Sequence, residues 1–149
     1  LPAANKMVQP HFKMLWNKDI PRIGVKDSAG RETLVELIAG SYRGMRAPAP
    51  PPDSWAAKPD NNVAIWHVTI PAKGEWILPS AAAPGINRFL YFFSGDSIQI
   101  AGSTVAAKTA CASTRVLNSP LLRAINPQCC FYCRANRLQK ASHNMARLS

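Results

Sequence analysis

The eighteen residues NVAIWHVTIPAKGEWILP, Asn62 to Pro79, admit one backbone geometry over most of their length. Ala64, Trp66, Val68 and Ile70 fall on one side of an extended chain, and Ile65, His67 and Thr69 on the other. That period of two belongs to a pleated strand and not to a helix. Pro71-Ala72-Lys73-Gly74 then reads as a turn, and Trp76-Ile77-Leu78 as a second, short strand. The pattern recurs on both sides. TLVELIAG, Thr33 to Gly40, places Val35 and Leu37 on one face and Leu34 and Ile38 on the other, as in a buried strand, and Gly40 closes it. In NRFLYFFSGDSIQIAG, Asn87 to Gly102, Phe89, Tyr91 and Phe93 share a face opposite Leu90 and Phe92. Ser94-Gly95-Asp96 turns the chain, and Ile98 and Ile100 point inward from the next strand. Short strands at regular spacing between Gly and Pro turns predict an all-β sandwich or jelly roll.

A chain of 149 residues is long enough for one domain with a real core. No apolar run approaches the roughly 20 residues of a membrane-spanning helix, so no membrane contact is expected. Leu1 to Lys6 has no secretory apolar region, and the first residue is not Met, which suggests a fragment or a processed product. Pro2, Pro10 and Pro21 keep residues 1–30 extended, as a linker into the domain, with Asp27-Ser28-Ala29-Gly30 as a turn. MRAPAPPPDSW, Met45 to Trp55, contains a PxxP at Pro48 and Pro51, but no Arg or Lys stands where such ligands are usually oriented. It reads as a stiff surface loop pinned by Trp55.

The net charge of +10 is unevenly placed. Residues 1–110 carry twelve basic and eight acidic residues, whereas residues 111–149 carry six basic residues and no acid. All four cysteines (Cys111, Cys129, Cys130, Cys133) lie in that tail, all four tryptophans before it, and the last glycine is Gly102. Composition therefore breaks near residue 110. Adjacent Cys129 and Cys130 cannot easily bridge each other, so reduced thiols are the default.

No phosphate-cradling glycine loop, nucleophile elbow or paired-carboxylate motif is present, and no catalytic residue is assigned. Asp96 reads as a turn residue. His67 is the best single metal candidate, yet Ile65 and Thr69 beside it are not ligands, so it reads as a structural histidine, and no metal ligand is assigned. His11, between prolines, has no ligand nearby. Cys129, Cys130, Cys133 and His143 contain one CxxC and lack the second pair of a zinc ribbon or finger. Arg134, Arg137 and Lys140, with Phe131 and Tyr132, could clamp phosphates and stack bases, so a small basic nucleic-acid-binding module is the alternative function. An unfolded basic tail is the simpler account.

LPAANKMVQPHF, Leu1 to Phe12, with KDIPRI behind it, begins a resemblance to the pirin family. It continues through LIAGSYRG, APAPPPDSWA, VAIWHVTIPA and NRFLYFFSGDSIQIAG, covering residues 1 to about 105. Pirins are bicupins, two jelly-roll barrels in one chain. The resemblance implies residues 1–30 as the inter-barrel linker, 31–110 as an incomplete C-terminal cupin domain, and 111–149 as a divergent, irregular tail. The family's iron ligands, three His and one Glu, belong to the first barrel and match no position here. No cofactor is expected in this chain, with iron in the parent. Members are associated with quercetin 2,3-dioxygenase activity or with regulating transcription through protein partners. The implied partners are the missing N-terminal barrel and transcription-related proteins, not nucleic acid, in the cytoplasm, or the nucleus of a eukaryote.

The tail departs from the family, whose second barrel closes with a segment similar to LLQGxPIxExxxQHGPF. The genetic code recovers it one nucleotide out of register. Phe131-Tyr132-Cys133, encoded TTY-TAY-TGY, becomes YTA and YTG, which encode only leucine. Cys133 into Arg134 permits Gln, Arg134 into Ala135 permits Gly, and Asn136, Arg137 and Leu138 permit Pro-Ile. Gln139 into Lys140 leaves Lys or Glu. His143 into Asn144 forces Gln once stops are excluded, and Met145 into Ala146 forces Gly. These fall at the family's spacing. Residues from about Cys111 onward are therefore expected to be a frameshift product, whose cysteines and arginines are accidents of register. A barrel without its last strands should expose the edges of the Phe89–Phe93 strand, be poorly stable, and carry a loosely placed tail, although the apolar content of VLNSPLLRAINPQCCFYC could cover part of the open face.

Overall fold

The computed structural model describes residues 7–80, 86–113, 121–126 and 129–136, with side chains described over 7–80, 86–109 and 121–125. Among these residues the chain is β-strand with three single 3-10 turns. The strands are β1 (Arg22–Lys26), β2 (Glu32–Ala39), β3 (Ser41–Tyr42), β4 (Met45–Arg46), β5 (Ala64–Ile70), β6 (Glu75–Ile77), β7 (Asn87–Ser94), β8 (Ser97–Ile100), β9 (Ser103–Ala106), β10 (Thr109–Ser113), β11 (Leu121–Asn126) and β12 (Cys129–Asn136).

Three antiparallel sheets result. The largest runs β1-β2-β5-β12-β7-β10, a second runs β6-β11-β8-β9, and β3-β4 is a small hairpin. The two large sheets face each other across one apolar core, the arrangement of a jelly roll. The six-stranded sheet contributes Val35, Leu37, Trp66, Val68, Ile70, Leu90 and Phe92, and the four-stranded sheet Trp76, Ile98, Ile100, Leu122 and Ala124. Each inward set is the alternating set of its strand, because successive side chains point to opposite faces. The expected inward faces of β5, β7 and β8 are the observed ones. Leu34 and Ile38 of β2 are only half-buried, while Val35 and Leu37 are sealed.

The turns follow the glycine and proline signals. Gly74 N–H donates to Pro71 O at 2.8 Å, closing the turn between β5 and β6. In the β1–β2 hairpin Gly30 has φ +78, Asp27 accepts from the Ala29 and Arg31 N–H groups at 2.9 Å each, and it pairs with the Arg31 guanidinium at 2.8 Å. Asp27 also accepts from the Glu75 N–H of β6 at 3.2 Å, so one carboxylate fastens the hairpin to the facing sheet. Burial raises its pKa, but these hydrogen bonds outweigh that and hold it below its ordinary value.

Two expectations need correction. Residues 1–30 are not all linker, since β1 pairs along its whole length with β2, from Arg22 opposite Glu36 to Lys26 opposite Glu32. Its half-buried Ile23 and Val25 pack against the core. The strand Phe89–Phe93 does not present open edges either. It lies within β7, which pairs with β10 on one side and β12 on the other. The tail also completes the facing sheet, because LLRAIN carries its own period-two pattern: Leu122 and Ala124 are fully buried while Leu121, Arg123 and Ile125 are exposed. The unpaired N–H and C=O rows of β5 and β7 complete their hydrogen bonds through β12. Residues 114–120, 127–128 and 137–149 of the tail lie outside the described residues.

Candidate functional site

Two places gather polar chemistry. The first is on the outer face of the six-stranded sheet. Register sets Arg22 of β1, Glu36 of β2 and His67 of β5 in one row. Arg22 Nε donates to Glu36 Oε1 at 2.8 Å, and Asn17 accepts from another guanidinium nitrogen. Nδ1 of His67 is hydrogen-bonded to Glu36 Oε2, and a carboxylate only accepts, so this nitrogen carries the proton. The imidazole stacks on Phe93, ring centroids 5.7 Å apart. Burial raises the pKa of Glu36, but the hydrogen bonds and charges of His67 and Arg22 prevail and hold it below the usual range. Chemically this row ties three strands together. His67 lies on the face away from Trp66, Val68 and Ile70, so it points out of the barrel.

The second place is the end of the barrel where β2 finishes and β5 and β7 begin. Ile38 is the extra residue of a bulge in β2, since Leu37 stands opposite Trp66 and Ala39 opposite Ile65. The chain then turns at Gly40, with φ +81 and Val63 O only 2.7 Å from where a Cβ would sit, so glycine is required there. The β3–β4 hairpin follows. Its two loop residues, Arg43 (φ 47) and Gly44 (φ 82), both lie in the left-handed region, the signature of a type I′ turn. The proline-rich loop folds over this end, pinned where Asn61 Nδ2 donates to Trp55 O at 2.6 Å.

A cavity of about 880 Å³ lies between these segments. Tyr42 and Trp66 give it aromatic walls, their centroids 5.2 Å apart and tilted by 55°, and the Tyr42 hydroxyl accepts from Trp76 Nε1 at 3.3 Å. Four cations line it: Arg43, Arg46, Lys58 and Arg88. No Asp or Glu lines it among the described residues. Arg43 lies over the Tyr42 ring at 5.6 Å. Arg88 is only 5% exposed and shares the inward face of β7 with Leu90 and Phe92, where its guanidinium donates to Pro79 O.

Of the residues singled out from sequence, Arg134 stands in β12, opposite Ile65 of β5 and Phe89 of β7. Cys129, Cys130 and Cys133 lie on the same strand. Arg137, Lys140 and His143 lie outside the described residues. The nucleic-acid constellation is therefore not brought together by the described part of the chain. Among the described residues no three of His, Cys, Asp and Glu converge, and the buried polar side chains of β2, β5 and β7 are Thr33 and Arg88. That donor set does not fit an iron centre. No helix among the described residues is long and apolar enough to cross a membrane. Sequence reasoning missed Arg88. The alternation that sends Leu90 and Phe92 inward sends residue 88 inward too, and that signal was available.

Comparison with known proteins gives the fold its place. No family model matches the chain. Seventy-two of its residues are 33% identical to a provisionally named quercetin 2,3-dioxygenase of Pseudomonas aeruginosa, a match covering 48% of this chain and 21% of that protein. The crystal structure of quercetin 2,3-dioxygenase from Acinetobacter baumannii superposes with a TM-score of 0.68 at 16% identity, over 89% of this chain and 41% of that one. A Geobacillus kaustophilus protein gives 0.63 at 20% identity, over 92% and 51%. The polyketide cyclase RemF of Streptomyces resistomycificus gives 0.52 at 12% identity, over 93% and 88%. The chain thus spans about a fifth of the curated relative and roughly half or less of the first two structures. Its strand order, its two-sheet core and these neighbours place it in the all-β, cupin-type jelly-roll fold.

Proposed function

We propose that this chain is the second barrel of a pirin-like, two-barrel cupin. The observation that carries this reading is the 33% identity to the Pseudomonas protein, coupled with a superposition that covers 89% of this chain but 41% of a solved quercetin 2,3-dioxygenase. On this reading the intact parent binds iron in its other barrel and acts as a quercetin 2,3-dioxygenase-like oxygenase, or as a transcription coregulator through protein partners. On this reading oxidation of a flavonol belongs to the other barrel and is not assigned to this one. Oxygen uptake with quercetin and added iron, for this chain against a no-protein control and against the chain joined to the upstream barrel, tests the division of labour. Uptake by this chain alone overturns it.

The reading extends to the tail, which we take to be translated out of register from about Cys111. The strand at Cys129–Asn136 supports this in a specific way. Codons for Cys, Phe and Tyr begin with T. Read one base earlier, that T becomes the middle base, and every codon with T in the middle encodes an apolar residue. An apolar strand in the parental register therefore leaves Cys, Phe and Tyr in this one, and aromatic residues still favour strands. Nucleotide sequence across codons 100–149 tests the proposal: early stop codons in the neighbouring phase would remove it. The nucleic-acid reading through Arg134, Arg137 and Lys140 has no comparable support.

A further inference from the structure

We infer that the cavity at the mouth of this barrel is a binding site for a small aromatic carboxylate. The inference is independent of what the parent protein does in its other barrel.

Three observations carry it. The volume, about 880 Å³, lies within the ~300–1,000 Å³ of small-molecule sites. The charge is one-sided, with Arg43, Arg46, Lys58 and Arg88 on the lining and no acid there among the described residues. Elsewhere Glu36 sits with Arg22, Asp27 with Arg31 and Glu75 with Arg123. Cations collected along one concave wall raise the local concentration of an anion. The third observation is where two of the arginines sit. Arg88 is buried on the inward face of β7 beside Leu90 and Phe92, and its guanidinium reaches the cavity wall while donating to Pro79 O. Arg43 occupies the first position of a type I′ turn, where Asn or Gly would sit with less strain.

Chemistry then narrows the ligand. Arginine presents a planar fork that matches a carboxylate in two parallel hydrogen bonds. Tyr42, Trp66, Ile77 and Ile86 offer an apolar and aromatic surface beside that charge, which suits a ring and not a bare phosphate. A ring lying against Trp66 with its carboxylate toward Arg88 and Arg43 uses both features.

Benzoate is the probe, with benzamide as its neutral isostere. In the 149-residue chain, benzoate should quench tryptophan fluorescence saturably, beyond its effect on free N-acetyltryptophanamide, and benzamide should bind at least tenfold more weakly. Arg43→Asn should weaken benzoate at least threefold while leaving the thermal midpoint unchanged or higher, a combination a merely structural arginine would not give. Arg88→Gln should weaken it at least tenfold. If that variant loses its near-ultraviolet circular dichroism, the double variant Arg43→Asn/Arg46→Gln, altered only at exposed positions, decides instead by the same tenfold criterion. Equal binding of benzoate and benzamide, wild-type affinity in the arginine variants, or displacement by inorganic phosphate at concentrations equal to benzoate overturns the proposal.

Discussion

Strands β2 and β12 flank the same central strand, β5, and they hold it by different means. Between β2 and β5 the backbone ladder is reinforced at every level. Val35 faces Val68 and Leu37 faces Trp66, all four buried on the inner side. Glu36 faces His67 on the outer side and joins Arg22 as well. Between β5 and β12 the ladder is as regular, seven residue pairs from Cys129 opposite Ile70 to Ala135 opposite Ala64. Its sequence, CCFYCRAN, however, puts an arginine opposite both Ile65 and Phe89. Pairing of backbone groups therefore asks only for a strand of the right length. Side-chain agreement across the ladder is a separate requirement, worth roughly 0.2–1 kcal/mol per pair. The first flank meets both requirements, while the second is described by its backbone ladder, whose register sets Phe131 opposite Val68 and Phe92 and Arg134 opposite Ile65 and Phe89.

Removing residues 111–149 is the severest way to break the comparison. It takes away β11, β12 and three of the five residues of β10, and uncovers Trp76, Ile98 and Ile100, which face Leu122 and Ala124. The six-stranded sheet would be split between β5 and β7. The expected outcome is loss of cooperative thermal unfolding. A sharp transition near the midpoint of the full chain would mean that the tail strands contribute no stability. Restoring the neighbouring reading frame over the same codons is the complementary experiment: the midpoint should rise, because the shifted codons across Phe131-Tyr132-Cys133 encode leucines.

At the level of single residues the two regions become directly comparable. Leu122 and Val68 are both fully buried, one in β11 of the tail and one in β5. Leu122→Ala should cost about 3 kcal/mol if the tail is packed like the rest of the core, and Val68→Ala about half as much because fewer methyl groups leave. Arg123→Ala, between two buried positions but itself exposed and 3.6 Å from Glu75, should stay within about 0.5 kcal/mol. Urea midpoints on the three variants measure the difference. A cost for Leu122→Ala no larger than that for Arg123→Ala would show the tail strand resting on the core without packing into it.

Much of this was legible beforehand, and the limits have physical causes. The inward faces of β5, β7 and β8 could be read because a buried strand writes its burial as alternation. β1 was hidden because RIGVK is short, bounded by Pro21 and half-buried, so it shows only two apolar residues before the turn at Asp27. β11 was hidden because the composition of residues 111–149 suggested that nothing there had been selected to fold, although LLRAIN alternates as clearly as the earlier strands. The cavity could not be read at all. It is assembled from Tyr42, Lys58, Trp66 and Arg88, positions far apart in sequence that meet only once the sheets close. The bond between His67 and Glu36 could not be read either, since pairing across thirty-one residues depends on register.

Glu36→Gln makes a smaller change, removing the carboxylate that joins β1, β2 and β5 while keeping its shape. Arg22 and Glu36 are partly exposed, so solvent screens the interaction and the expected cost is about 1 kcal/mol at neutral pH. The subtler effect is on pH dependence. The folded state holds Glu36 below its ordinary value of 4.5, and Asp27 below 3.8. A carboxylate whose pKa is depressed by folding contributes its stability in full above the unfolded value and loses it as pH falls through the folded one. The wild-type chain should therefore keep a constant urea midpoint from pH 7 down to about 5, then lose stability in two overlapping steps, Glu36 first and Asp27 at lower pH. Glu36→Gln should begin lower and fall more shallowly, keeping only the Asp27 step, while Asp27→Asn should keep only the Glu36 step. If Glu36→Gln leaves the acid limb unchanged, the row Arg22–Glu36–His67 is not what holds β1 and β2 to the central strand. The first flank would then rest on burial of Val35 and Leu37 alone, which would bring it much closer to the second.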